Sequence, residues 1–115
     1  GLFLEFTSRI KRYYANRYGE NSQQLKDCSD GFHFEPSVAA TIYQDMLNEH
    51  KDKITVLLMR QFDAENQNIS IKNGRIESIC ILNRENGKKE IYQGDMFVDA
   101  TYEGDLGAAA GVPFV

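Results

Sequence analysis

Leu2, Phe3, Phe6, Ile10, Tyr13 and Tyr14 recur three and four positions apart, with Glu5, Arg9, Lys11 and Arg12 between them. That spacing predicts an amphipathic helix ending near Tyr18, with Gly19 free to adopt the left-handed conformation that closes a helix. Glu20 to Gly31 is polar and rich in Asn, Ser, Gln, Asp and Gly, and reads as an exposed loop. Phe32 to Glu35 is expected to be extended, because Pro36 disfavours the helical region for the residue before it. Pro36 itself suits the first turn of a second helix, whose apolar face carries Val38, Ala39, Ile42, Met46 and Leu47. That helix is expected to end near His50, with Lys51-Asp52-Lys53 as a polar hinge into a strand.

The periodicity then changes. Ile54-Thr55-Val56-Leu57-Leu58-Met59 is almost wholly apolar, the pattern of a strand covered on both faces in a parallel sheet. After Arg60 come three alternating stretches joined by Asn73-Gly74 and Asn86-Gly87. Both residues of an Asn-Gly pair tolerate the positive φ of a type I′ turn, so each pair predicts a hairpin. Two-residue loops would set Ile71 opposite Ile76 and Leu82 opposite Ile91. Met96 to Ala100 reads as a short buried strand, followed by the turn Thr101-Tyr102-Glu103-Gly104-Asp105 and a small-residue helix from Leu106 to Gly111. A strand, a tight turn and a helix in that order can direct free backbone N–H groups at an anionic ligand. The pattern therefore predicts an α/β chain: two main helices, a parallel-type strand pair at 54–60 and 95–100, and a three-stranded antiparallel meander between them.

At 115 residues, 42% hydrophobic and 26% charged, the chain has the balance of one small globular domain. The longest apolar run is strand-sized, so no membrane helix is expected. A net charge of -4 with no Lys/Arg cluster disfavours a nucleic-acid binder or an anionic-membrane binder. Cys28 and Cys80 are too few for a disulfide framework or a four-ligand zinc site, and are read as free thiols. The opening Gly-Leu-Phe-Leu and the closing Gly-Val-Pro-Phe-Val read as the ends of an internal piece of a longer protein, whose localisation is unknown.

Candidate chemistry is sparse. His33 and Glu35 share one side of an extended stretch but have no evident third metal ligand, so no metal is expected. His50 suits a helix C-terminus. Tyr13, Tyr14 and Tyr18 read as packing residues rather than a sugar or flavin site. Asp105 is placed evenly between capping the last helix and touching a ribose or ribityl group. Glu103 with Asp105 has the composition of an acid/base pair, but nothing in the sequence perturbs them.

The order of elements and their wording carry a resemblance across essentially the whole chain. Phe34-Glu35-Pro36 opens a helix, Ile54 to Leu58 follows, then a meander, then Phe97-Val98-Asp99-Ala100-Thr101-Tyr102-Glu103-Gly104-Asp105-Leu106 with Ala108-Ala109-Ala110-Gly111-Val112-Pro113. This resembles the FAD-dependent oxidoreductase family of the glutathione-reductase-like superfamily, in the branch found in many bacterial genomes as large flavoproteins. The resemblance implies a partial FAD/NAD(P)-binding Rossmann-like domain with an inserted β-meander. It implies main-chain contacts to FAD from Phe62 on the adenine side, and from Ala100, Thr101, Gly104 and Asp105 in the turn after the last strand. No Gly-x-Gly-x-x-Gly occurs in the chain, so the N-terminal βαβ unit and its phosphate loop are missing. FAD is accordingly expected in the longer parent, with this piece alone empty and inactive.

Two other classes stay open. Some relatives of the family carry a xanthan-lyase label, which would make the substrate a carbohydrate rather than another small molecule. A non-catalytic interaction module is the third reading. Loss of the Rossmann neighbours would also leave an apolar strand edge exposed, which favours self-association.

Overall fold

The computed structural model describes residues 1–113. The chain divides into two compact units, one spanning Gly1–Thr55 and the other beginning at Val56.

The first unit is helical. α1 runs Leu2–Tyr18, α2 Gln23–Asp27 and α3 Pro36–Asn48. Phe6, Ile10 and Tyr14 from α1 meet Val38, Ala39 and Ile42 from α3, and Cys28 completes the buried set. α1 and α3 bury most of the predicted faces, though Leu2 and Phe3 at the start of α1 stay exposed, and Pro36 occupies the start of α3 as expected. Gly19 closes α1 through its N–H to the Ala15 carbonyl, but at φ 98 and ψ 155 rather than in the left-handed helical region.

The expected exposed loop at 20–31 is instead ordered. Ser22 caps α2 by accepting the Leu25 N–H at 3.2 Å. Leu25 and Cys28, three apart, turn inward against the core. A tight 3₁₀ turn, Ser29–Gly31, follows. There Ser29, Asp30 and Gly31 all take positive φ, which carries the chain back onto α1. The approach is so close that a Cβ on Gly31 would lie 2.0 Å from the Thr7 carbonyl oxygen. Lys11 fastens the same turn from α1 by an ion pair to Asp30 at 2.6 Å. Arg9 joins Glu5 and Glu49, each at 2.6 Å, and so ties α1 to the end of α3.

The second unit is a four-stranded sheet with a short terminal helix. Its strands are β1 (Arg60–Gln61), β2 (Ile69–Lys72), β3 (Arg75–Asn83) and β4 (Lys89–Gln93), followed by α4 (Asp105–Ala109). β3 is central. β4 lies along one edge, pairing Ser78 with Gln93 through to Leu82 with Lys89. β1 and β2 share the other edge end to end, at Leu82–Asn83 and at Arg75–Ile79.

The first Asn-Gly hairpin matches the sequence reading. Asn73 and Gly74 have φ 53 and 72, and Ile71 faces Ile76. A bulge between Ser70 and Ile71 then shifts the register. The second hairpin differs. Its register sets Cys80 opposite Ile91 and Leu82 opposite Lys89, two residues from the expected pairing. The cause is local: the Asn83 side-chain oxygen accepts the Glu85 N–H at 2.9 Å, and Gly87 N–H returns to the Asn83 carbonyl at 2.8 Å. The resulting loop spans 84–87 in place of a two-residue turn. A shift of two preserves side-chain parity, so every residue keeps its predicted face.

The parallel-type strand pair at 54–60 and 95–100 does not form among the described residues. Apart from Arg60 in β1, both segments are irregular, and every described strand pairing is antiparallel. Parallel strands are stable when both faces are covered. Here Leu58, Met96 and Val98 are 70%, 82% and 81% exposed, so burial supplies no drive to zip them together. The mixed α/β character is present, and among the described residues no parallel pairing accompanies it. No helix among the described residues is long and apolar enough to cross a membrane.

Candidate functional site

The residues expected at a cofactor fall in two places within the second unit. Phe62, half-buried, directly follows β1. Ala100, Thr101, Gly104 and Asp105 lie in the turn that enters α4, the first two exposed and the last two half-buried. Among the described residues, the hydrogen bonds of this turn and α4 stay within 99–112, so none ties the turn to Phe62.

Asp99 organises the turn. Its Oδ1 accepts the Thr101 N–H at 2.9 Å and the Thr101 hydroxyl at 2.7 Å. Its Oδ2 accepts the N–H groups of Leu106 at 2.9 Å and Gly107 at 3.1 Å, in the first turn of α4. Thr101 Oγ1 in turn accepts the Gly104 N–H at 3.0 Å. Gly104 takes φ 71 and ψ 36, a left-handed conformation in which a side chain would meet no neighbour but would strain the backbone. The helix cap is therefore Asp99, reaching over the turn. Asp105 is the first residue of α4 and does not cap it. The sequence placed Asp105 evenly between capping and a ribose or ribityl contact, since capping residues normally adjoin the helix they close.

These donors hold the Asp99 carboxyl well below its ordinary range, at about 2, with the Thr101 hydroxyl the largest cause and the Thr101, Gly107 and Leu106 N–H groups adding to it. A depressed carboxyl stabilises the fold above its unfolded value of 3.8, and that contribution is lost as pH falls through about 2. The expected result is a titration of the Leu106 and Gly107 amide resonances with a midpoint near 2. A midpoint near 3.8 would show that the carboxylate does not hold them.

A second polar cluster lies on the sheet. Arg60 reaches from β1 across β3 to Glu90 on β4 at 2.7 Å, and also pairs with Glu85 at 3.1 Å. Tyr92 donates its hydroxyl to Glu90 at 2.8 Å, and the buried Asn83 donates to the other Glu90 oxygen at 3.3 Å. Glu90 is lowered chiefly by Arg60 and then by Tyr92, while Tyr92 is raised chiefly by Glu90. With every member partnered, the cluster fixes β1 against the sheet rather than presenting a poised acid or base. The alternating pattern of β4 signalled the face of Glu90 and Tyr92, but their cation lies 30 positions upstream and left no local signature.

The three tyrosines singled out in the sequence are engaged in packing. The Tyr14 hydroxyl donates to the Glu35 carboxylate at 3.2 Å and accepts the Glu35 N–H at 3.1 Å, binding α1 to the start of α3. Burial is the main cause that raises its pKa. Tyr18 stacks on Tyr14 at 6.0 Å, and Tyr13 meets it edge-on at 5.5 Å. Cys28 is buried with its thiol donated to the Leu25 carbonyl, and both cysteines are free. No group of three or more His, Cys, Asp or Glu suited to a metal occurs among the described residues.

No curated protein and no solved structure matches the chain. A family model described as FAD dependent oxidoreductase matches it over residues 1–115. That match spans the helical unit, the sheet and the Asp99-centred turn alike, and on its strength the chain belongs to the FAD dependent oxidoreductase family.

Proposed function

We propose that this chain is an internal part of a larger flavin-dependent oxidoreductase, and that its turn at 100–105 lies against FAD. The supporting observation is the Asp99 lock: four hydrogen bonds to one carboxylate hold a short, exposed stretch of main chain in a single shape. Ala100, Thr101 and Gly104 then offer backbone rather than bulky side chains, with Gly104 leaving open space where a side chain would project. Phe62, after β1, contributes on the adenine side. In the complete protein, segments 54–60 and 95–100 gain neighbours and become parallel strands of a Rossmann-like sheet, which covers the apolar side chains now exposed.

The residues present fit an uncharged part of FAD and not its pyrophosphate. The N–H groups of Leu106 and Gly107 are already taken by Asp99, and a carboxylate stands where a phosphate would need to be. FAD, when bound, supplies the two-electron redox chemistry. The role of this chain is to position that cofactor by main-chain contact. Helix-terminus donors contribute about 0.3–1 kcal/mol each, whereas micromolar affinity requires about 8 kcal/mol. The chain alone therefore falls short of useful FAD binding.

Titration of FAD into this chain and into the longer protein, followed by flavin fluorescence and absorbance, tests the reading. The longer protein is expected to take up FAD and this chain to leave it free. A longer protein that stays colourless after reconstitution would remove the flavoenzyme assignment.

A further inference from the structure

The free N–H groups at the start of α4 are satisfied from within the chain. The Asp99 carboxylate spans seven positions to Leu106 and eight to Gly107, while its other oxygen holds both the N–H and the hydroxyl of Thr101. Thr101 passes the constraint on, because its hydroxyl oxygen accepts the Gly104 N–H. One side chain thus fixes both ends of the turn and its left-handed glycine. We infer that Asp99 is a positioning residue: it holds Ala100 to Gly104 in the shape offered to the cofactor and closes the start of α4 to phosphate.

The cofactor half of this inference rests on the function proposed above; the conformational half does not. Asp99 acts through Thr101, Gly104 and the first turn of α4, and its carboxylate oxygens are committed to those groups. Removing the carboxylate would release the Leu106 and Gly107 N–H groups and the Thr101 hydroxyl together. An amide in its place retains one acceptor oxygen of the same reach, so it should preserve part of the lock.

The first arm of the test uses this chain without cofactor. Amide hydrogen exchange is expected to show Leu106 and Gly107 protected in the wild type. Protection should fall about tenfold in Asp99→Ala and be restored only in part in Asp99→Asn, in keeping with the worth of a helix cap. Added inorganic pyrophosphate should leave both amide resonances of the wild type unshifted. Wild-type amides that exchange freely, or a saturable pyrophosphate shift at them, would overturn the inference.

The second arm uses the longer, FAD-loaded protein. Asp99→Ala should loosen FAD about tenfold and alter the flavin absorbance contour, with Asp99→Asn recovering part of the affinity. Unchanged FAD affinity and spectrum in Asp99→Ala would reduce Asp99 to an ordinary helix cap. A wild-type protein that takes up no FAD would defeat the proposed function, and the first arm would still decide what Asp99 does.

Discussion

Replacing Gly31 by alanine is expected to destabilise the helical unit by about 2–5 kcal/mol, combining overpacking with backbone strain. Gly31 has φ 90, and its added Cβ would lie 2.0 Å from the Thr7 carbonyl oxygen and 2.7 Å from the Thr7 carbonyl carbon. Both atoms are backbone in the middle of α1, so neither can swing aside. Relief requires the Ser29–Gly31 turn to lift off the helix, which strips the cover from Cys28 and Thr7. Gly74→Ala is the matched control. It has φ 72 with nothing within 4 Å, so it should cost only about 1 kcal/mol from the left-handed backbone alone. Urea unfolding read by helical circular dichroism for Gly31→Ala, and by the β2–β3 amide resonances for Gly74→Ala, gives the loss in each unit. Equal losses would mean that the approach of the turn to α1 does not matter energetically.

Ile10→Ala is expected to cost about 2–5 kcal/mol in the same unit. Ile10 is the largest fully buried side chain, at 0% exposure, among the seven buried apolar residues of the core. Its neighbours come from a well-ordered helix pair tied by the Arg9 fork to Glu49 and by Tyr14 to Glu35, so the site has little freedom to collapse around a cavity. Ile10→Val should cost about 0.5–1.5 kcal/mol. A loss below 1 kcal/mol for the alanine variant, read from the urea midpoint at constant slope, would place Ile10 outside the cooperative core.

The periodic parts of the fold were legible because their signals are local. Helical spacing marked α1 and α3, Pro36 marked where α3 begins, and Asn73-Gly74 set the first hairpin to the residue. Elements specified by tertiary contact escaped. α2 is five residues long and survives through the Ser22 cap and the burial beside Cys28, neither of which its polar composition reveals. The register of the second hairpin turned on the Asn83 side chain competing for the loop backbone, which outweighed the Asn86-Gly87 signal. The segments 54–60 and 95–100 carry the pattern of paired strands without pairing, because hydrophobicity reports a wish for cover and not its presence.

The candidate site was legible to a similar degree. The strand-to-helix turn at 100–105 is legible from its small and turn-forming residues, while the family match bears on the chain as a whole and not on that turn. Asp99 stands at the head of that segment, but nothing in the sequence marks it as the remote cap of α4. A carboxylate that reaches past its neighbours to the Leu106 and Gly107 N–H groups needs the chain to reverse first, and that reversal depends on the conformation of Gly104.

The division of one sheet edge between β1 and β2 has a kinetic consequence. β2, β3 and β4 are joined by short hairpins and close over small separations, whereas β1 must find Asn83 from 23 residues away with only two residues to pair. Loop closure over that distance carries an entropic cost that so short a ladder repays poorly. β1 should therefore dock last in folding and detach first in native-state fluctuations, with the Arg60–Glu90 pair as its main tether. Phe62, at the end of that strand, would then ride on the least protected part of the sheet and open toward solvent while the meander stays intact.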